Sequence, residues 1–268
     1  MKRGSSGRKS WGIATGLIAL ILLFTVVQVK GQDATAPNVT VYAAGSLQNA
    51  LTEIGRKYEE ANPKTKVLFS FDSSGALARK IEADAPADVY ISASEKWMQY
   101  LVKEQKVPSA QAKVLLGNRL ICVVPIDSEL ELKRPEDLAK VRRIAIGDPA
   151  QAPAGEYARE ALKKIGLWEK LDREKRMVFG ANVRIALSWV ESKEAQAGIV
   201  YQSDAKASTK VKGAFVFSPD SHSPITYIMG PVGTSAGARG FMHFLESDVA
   251  SDIFGQQGFI PAVRVKTK

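Results

Sequence analysis

The stretch Val39-Thr40-Val41-Tyr42-Ala43-Ala44-Gly45-Ser46-Leu47 decides how this chain is read. Its first six residues have strand character, Gly45 interrupts them, and Leu47, Ala50, Leu51, Ile54 and Tyr58 then recur at the spacing of one apolar helix face. Ser46 therefore sits where a strand gives way to a helix. Free backbone N–H groups and the peptide dipole make such a place electropositive without any ionised side chain, which suits a small anion. The same grammar returns at Ser74, after a strand over 66–71 and before a helix containing Ala76, Leu77, Ala78 and Ile81. Two later helix starts repeat it, at Ala154 after Pro153 and at Val183 after Asn182.

Working outward, strands at 66–71, 87–92, 143–147, 177–179 and 198–201 alternate with helical patterns. Asn62-Pro63 stops the first helix, and Gly166 stops the one that opens at Pro153. Strand–helix alternation of this length predicts an α/β chain with mainly parallel sheets covered on both faces. A new unit begins at 120–124, after Gly117-Asn118, and the Pro- and Ser-containing stretch 218–224 precedes a returning strand at 226–229. The expected organisation is an export signal over 1–31, a first lobe of 32–117 with 224–268, and a second lobe of 118–223. A cleft between such lobes is the expected ligand site.

The first 31 residues carry Lys2, Arg3, Arg8 and Lys9, then a long apolar run, then Val29-Lys30-Gly31 with small residues at the positions a signal peptidase reads. This reads as a secretory signal cleaved before Gln32; the competing reading is an uncleaved inner-membrane anchor, since the run approaches spanning length. No Cys lies at its end, which argues against a lipid anchor and for a periplasmic address. The formal charge of +9 is partly a property of this segment, which holds five of the 37 basic residues and no acidic ones. Removing it leaves 32 basic against 28 acidic residues, too small and too mixed a surplus to imply nucleic acid. Cys122, the single cysteine, falls in an apolar run and reads as a buried thiol; one cysteine makes no internal disulfide.

The candidate site is built from donors. Ser46, Ser74 and Tyr201 offer hydroxyls, and the helix starts at Ala154 and Val183 offer backbone N–H groups. A fully deprotonated oxyanion only accepts, so a ring of donors satisfies it. Phosphate near neutral pH keeps a proton that would find no acceptor in such a shell, at a cost of roughly 1–3 kcal/mol or more. The site should therefore take molybdate, tungstate or sulfate ahead of phosphate. Arg79, Lys80 and Arg184 lie near the same helix starts, but long cations commonly face water and are read here as surface charge. Asp148-Pro149 reads as a turn and Asp88 as a loop-ordering residue. His222 and His243 are too far apart to suggest a metal site.

These residues resemble a known family. Ala43-Ala44-Gly45-Ser46-Leu47, Ser73-Ser74-Gly75-Ala76-Leu77-Ala78, Ala85-Pro86-Ala87-Asp88-Val89, Gly147-Asp148-Pro149, Pro153-Ala154-Gly155 and Gly198-Ile199-Val200-Tyr201 look like the periplasmic molybdate-binding proteins of ABC importers. The likeness keeps the motifs in order over nearly all of the chain after the signal. It implies a two-lobed type II periplasmic-binding fold, with mixed sheets flanked by helices and closing on its ligand. It also implies an oxyanion held by Ser46, Ser74, Ala154, Val183 and Tyr201 with no cofactor and no direct metal-ion ligand, and a monomer that delivers to a membrane permease with its ATPase. Gly45 and Gly75 depart from the family's commoner Ala and Ser, and are expected to loosen their loops slightly.

Other classes fit less well. A hydrolase using the same anion-friendly helix ends would want G-x-S-x-G, a histidine beside a nucleophile or a metal cluster, and the sequence offers none of these. A transcription regulator would want an N-terminal helix-turn-helix in place of an export signal. Within the leading class, a sulfate or thiosulfate receptor is the nearest rival.

Overall fold

The computed structural model describes residues 38–262, so the export signal expected over 1–31 lies outside the described residues. The chain first lays down β1 (Val39–Ala44), α1 (Gln48–Ala61), β2 (Val67–Asp72), α2 (Ser74–Glu82), β3 (Val89–Ser92), α3 (Glu95–Lys103) and β4 (Lys113–Gly117). It then passes through Asn118-Arg119 into β5 (Leu120–Pro125), β6 (Ile144–Gly147), α4 (Pro153–Lys164), α5 (Trp168–Arg173), β7 (Met177–Gly180), α6 (Val183–Glu191), β8 (Ala197–Tyr201), α7 (Gln202–Lys206) and β9 (Val211–Val216). Finally it returns to β10 (Thr226–Pro231), α8 (Ala236–Leu245), α9 (Asp248–Gln256) and β11 (Ile260–Pro261).

Two sheets result, ordered β11-β4-β10-β3-β1-β2 and β7-β6-β8-β5-β9. β3 and β8 are buried along their whole length, as central strands covered by helices on both faces must be. The mainly parallel expectation needs correcting. β1 runs parallel to β2 and β3, and β6 parallel to β7 and β8, but β10 runs against β3 and β4, and β5 against β8 and β9. Reversals occur where the chain passes from one sheet to the other, which local alternation does not reveal. β4, α5 and α7 are further elements that the sequence pattern did not mark.

Register is what places the site. Ala44 pairs with Asp72 at the ends of parallel β1 and β2, so Ser46 and Ser74, each two residues further on, emerge side by side. In the other sheet Gly147 pairs with Gly180, and Ile146 with Ile199, so α4, α6 and the end of β8 also gather at one edge. Both gatherings lie beyond the carboxyl ends of parallel strands, the usual place for a ligand in an open α/β sheet.

Capping follows local chemistry. Asn182 Oδ1 accepts from the N–H groups of Arg184 and Ile185, and Ser73 Oγ from that of Ala76. Asp148 turns its loop by accepting from Ala150 N–H, and Asp88 orders the start of β1 by accepting from Thr40 N–H. Cys122 is buried and unpaired, and burial pushes its thiol pKa far up.

Candidate functional site

Each of three helices leaves one N–H over, and the reason is local. In α4, Pro153 has no N–H, and those of Gly155 and Glu156 are both taken by Ala152 O, which leaves Ala154. In α6, Asn182 takes the N–H groups of Arg184 and Ile185 on its side chain and that of Ala186 on its carbonyl, which leaves Val183. In α2, Ser73 takes Ala76 and Leu77, and Gly75 N–H donates across to Gln151 O at 3.0 Å, which leaves Ser74.

The residues that carry these leftover donors line one cavity. Ser46, Ser74, Ala154, Val183 and Tyr201 all line it, together with Gly45, Ser73, Asn182 and Asp72. It encloses about 220 Å³ of empty space counted to its open rim. That is a small cavity, on the scale of a ligand a few atoms across. Ser46, Ser74 and Tyr201 are each at most 2% exposed.

The hydroxyls are set up as donors. Ser74 Oγ accepts from Ala93 N–H at 3.0 Å, which leaves its hydrogen free. Tyr201 is fully buried, and among the described residues its hydroxyl has no hydrogen-bond partner. A buried, unpaired hydroxyl is costly and calls for a partner the protein does not itself supply. Burial, with Tyr227 and Tyr157 close by, raises the Tyr201 pKa well above its ordinary value, so the phenol keeps its proton. Ser46 Oγ lies 2.8 Å from the Tyr227 hydroxyl, which in turn accepts from Asn118 Nδ2 at 3.2 Å.

Four observations amend the sequence reading. Asp72, a carboxylate, lies on the cavity wall, but its oxygens are occupied by Ser73 N–H at 2.8 Å, Asn182 Nδ2 at 3.2 Å and Lys80 Nζ at 3.4 Å. Arg184 is not surface charge: its Nε lies 2.9 Å from the fully buried Asp204, and it donates to Ser46 O at 3.2 Å. Gly75 does not loosen its loop, because a Cβ there would fall 2.5 Å from the Trp97 ring and 2.8 Å from Gln151 O. Gly45 is simply roomy, with its nearest neighbours at 3.7 Å.

Asn118 and Tyr227 escaped the sequence reading. A polar residue between the apolar strands β4 and β5 was a signal for the first; nothing in the context of Tyr227 sets it apart. Arg79 and Lys80 are exposed as expected, Arg79 lying over the Trp97 ring. Among the described residues, no group of three or more His, Cys, Asp or Glu side chains could hold a metal ion.

A two-sheet α/β chain with a small donor-lined cavity at the strand ends is the architecture of a solute receptor. The family model "Bacterial extracellular solute-binding protein" matches residues 39–260, and the chain belongs to that family. It is 42% identical over 233 residues to the molybdate-binding protein ModA of Haemophilus influenzae, covering 84% of this chain and 91% of that one. It is 40% identical over 232 residues to ModA of Escherichia coli, covering 82% and 88%. Among solved structures, the periplasmic molybdate-binding protein of Azotobacter vinelandii superposes with a TM-score of 0.76 at 24% identity, covering 84% of this chain and all of that one. That last likeness speaks to the fold, which is the two-sheet periplasmic-binding architecture.

Proposed function

We propose that this protein is an exported receptor that captures molybdate, and tungstate equally by its chemistry, and hands it to the permease and ATPase of an ABC importer. Ser46, Ser74 and Tyr201 hold the oxyanion through hydroxyls, and Ala154 and Val183 through backbone N–H groups. In this reading 32–117 with 224–268 forms one lobe and 118–223 the other, the protein works as a monomer in the periplasm without a cofactor, and it does no chemistry on its ligand. Among the described residues no helix is long and apolar enough to cross a membrane.

The observation that carries the reading is the Tyr201 hydroxyl, buried and, among the described residues, unpartnered in a cavity whose other free polar groups are donors. Each hydrogen bond to a charged acceptor contributes roughly 1.5–3 kcal/mol, so about six give on the order of 10–20 kcal/mol gross. After desolvation and ordering costs, ~8–12 kcal/mol net corresponds to micromolar to nanomolar binding. The relatives named for molybdate support this ligand over sulfate, as does their identity across most of the chain.

Calorimetric titration with molybdate, tungstate, sulfate, thiosulfate and phosphate tests it. Tight binding of the first two, weak or absent binding of sulfate and no heat with phosphate are expected. Tighter sulfate or thiosulfate binding would make this a receptor for those anions instead. Turnover of a phosphate ester at the same site would make it an enzyme.

A further inference from the structure

The Asn118–Tyr227–Ser46 chain is anchored at its far end by a backbone group outside the cavity. Asn118 Oδ1 accepts from Arg119 N–H at 2.9 Å, which fixes the orientation of the amide and turns Nδ2 the other way. Nδ2 spends one hydrogen on Ser203 Oγ at 2.9 Å and the other on the Tyr227 hydroxyl oxygen at 3.2 Å. Tyr227 is fully buried, and its other polar neighbour is Ser46 Oγ at 2.8 Å. A phenol that already accepts from Asn118 must place its own hydrogen somewhere, and Ser46 Oγ is the acceptor in reach. Ser46 then has its oxygen occupied from behind, and its hydrogen is left for the cavity.

We propose that Tyr227 and Asn118 are positioning residues that make Ser46 an obligate donor, and that this one-way proton order is what excludes oxyanions that carry a proton. The inference rests on the oxyanion reading above. A free serine hydroxyl can donate or accept, so a cavity lined by free serines would tolerate a protonated phosphate by turning one hydroxyl round. Here Ser46 is held by Tyr227 and Ser74 by Ala93 N–H, so neither can turn without stranding a buried donor. Asn118 lies in the link between β4 and β5, and Ser203 on α7, so the same amide ties the polarity of the site to the crossing between the two sheets.

Tyr227→Phe keeps the ring and deletes only the hydroxyl. At pH 8, where phosphate and arsenate still carry a proton, the variant should bind molybdate about tenfold more weakly than the parent. It should also bind phosphate and arsenate measurably, so that the molybdate-to-phosphate ratio falls by about a hundredfold or more. Asn118→Ala, which frees Tyr227 to reverse, should lower the ratio in the same direction by a smaller factor. A folded Tyr227→Phe protein with the parent's ratio would overturn the inference. Neutron diffraction of the parent protein in deuterated buffer reads the proton order without a variant: deuterium on Tyr227 aimed at Ser46 Oγ supports it, and deuterium on Ser46 aimed at Tyr227 overturns it. If the parent fails to bind molybdate, the proposed function falls, while the neutron result still decides the proton order.

Discussion

Arg184 lies with its Nε 2.9 Å from Asp204 Oδ1, while another nitrogen of the same guanidinium donates to Ser46 O at 3.2 Å. Asp204 in turn accepts from Tyr201 N–H through its second oxygen at 3.2 Å. One buried ion pair thus ties the backbones of two cavity residues from opposite sheets. The Arg184 N–H is within ion-pair distance but not aimed along a hydrogen bond, so the contact is chiefly electrostatic. A buried pair of this kind is weak evidence for stability, since desolvation offsets its attraction.

The pH dependence of stability should show that cost. Burial is the largest influence on Asp204 and outweighs the attraction of Arg184, pushing its pKa up from 3.8 to about 6. Between those values the folded protein holds a proton that the unfolded chain has released, so protonation favours the fold. The contribution is complete below about pH 4 and lost as pH rises through about 6. Thermal melts of the parent and of Asp204→Asn from pH 4 to 7 should diverge in slope, the parent alone losing stability from this source. Parallel profiles would show that Asp204 is ionised throughout.

Tyr201→Phe separates binding from folding. Among the described residues its hydroxyl has no partner, so deleting it removes a buried unsatisfied group and should leave the melting temperature of the anion-free protein unchanged or raised. Molybdate binding should weaken by roughly 1.5–3 kcal/mol, the contribution of a hydrogen bond to a charge. A drop in melting temperature with no change in affinity would mean that the hydroxyl serves the fold.

The two serines should each serve the fold as well as the ligand. Ser46→Ala and Ser74→Ala each remove a donor and should each cost roughly 1–3 kcal/mol of binding. Each also strands a buried donor, Ser46→Ala the Tyr227 hydroxyl and Ser74→Ala the Ala93 N–H, so each should lower anion-free stability by roughly 1–3 kcal/mol. Paired calorimetry and chemical denaturation separate the two losses, and an unchanged anion-free stability in Ser74→Ala would argue against the Ala93 contact.

What the chain discloses about this site is what is encoded locally. A strand, a serine and an amphipathic helix follow one another directly along the chain, and the leftover N–H at Ala154 or Val183 follows from the Pro153 or Asn182 beside it. The five residues meet because parallel register repeats the same geometry at each strand end. Tyr227 is 181 positions from Ser46 and 109 from Asn118, and no local pattern reports contacts of that span. Arg184 was misread because long cations usually face water, and its buried partner Asp204 belongs to a different helix. The antiparallel placement of β10 and β5 stayed hidden for a related reason: it is decided where the chain changes sheets, in segments with little pattern of their own.

Gly75→Ala tests how closely the two sides of the cavity must approach. A methyl there would lie 2.5 Å from the Trp97 ring and 2.8 Å from Gln151 O, well inside van der Waals contact. Trp97 is buried against α2, and Gln151 O is backbone that receives the Gly75 N–H from across the cavity, so neither yields easily. The substitution should therefore push the α2 side away from the Gln151 loop and break that hydrogen bond. Overpacking of this size costs about 1–3 kcal/mol. Because Ser74 and Ala154 sit on the two surfaces being pushed apart, the loss should appear in molybdate affinity at least as strongly as in melting temperature. Gly45→Ala is the control, since its methyl would meet nothing nearer than 3.7 Å and should change neither quantity by more than about 0.5 kcal/mol. If both glycines tolerate alanine equally, close approach at Gly75 is not what holds the cavity to its size.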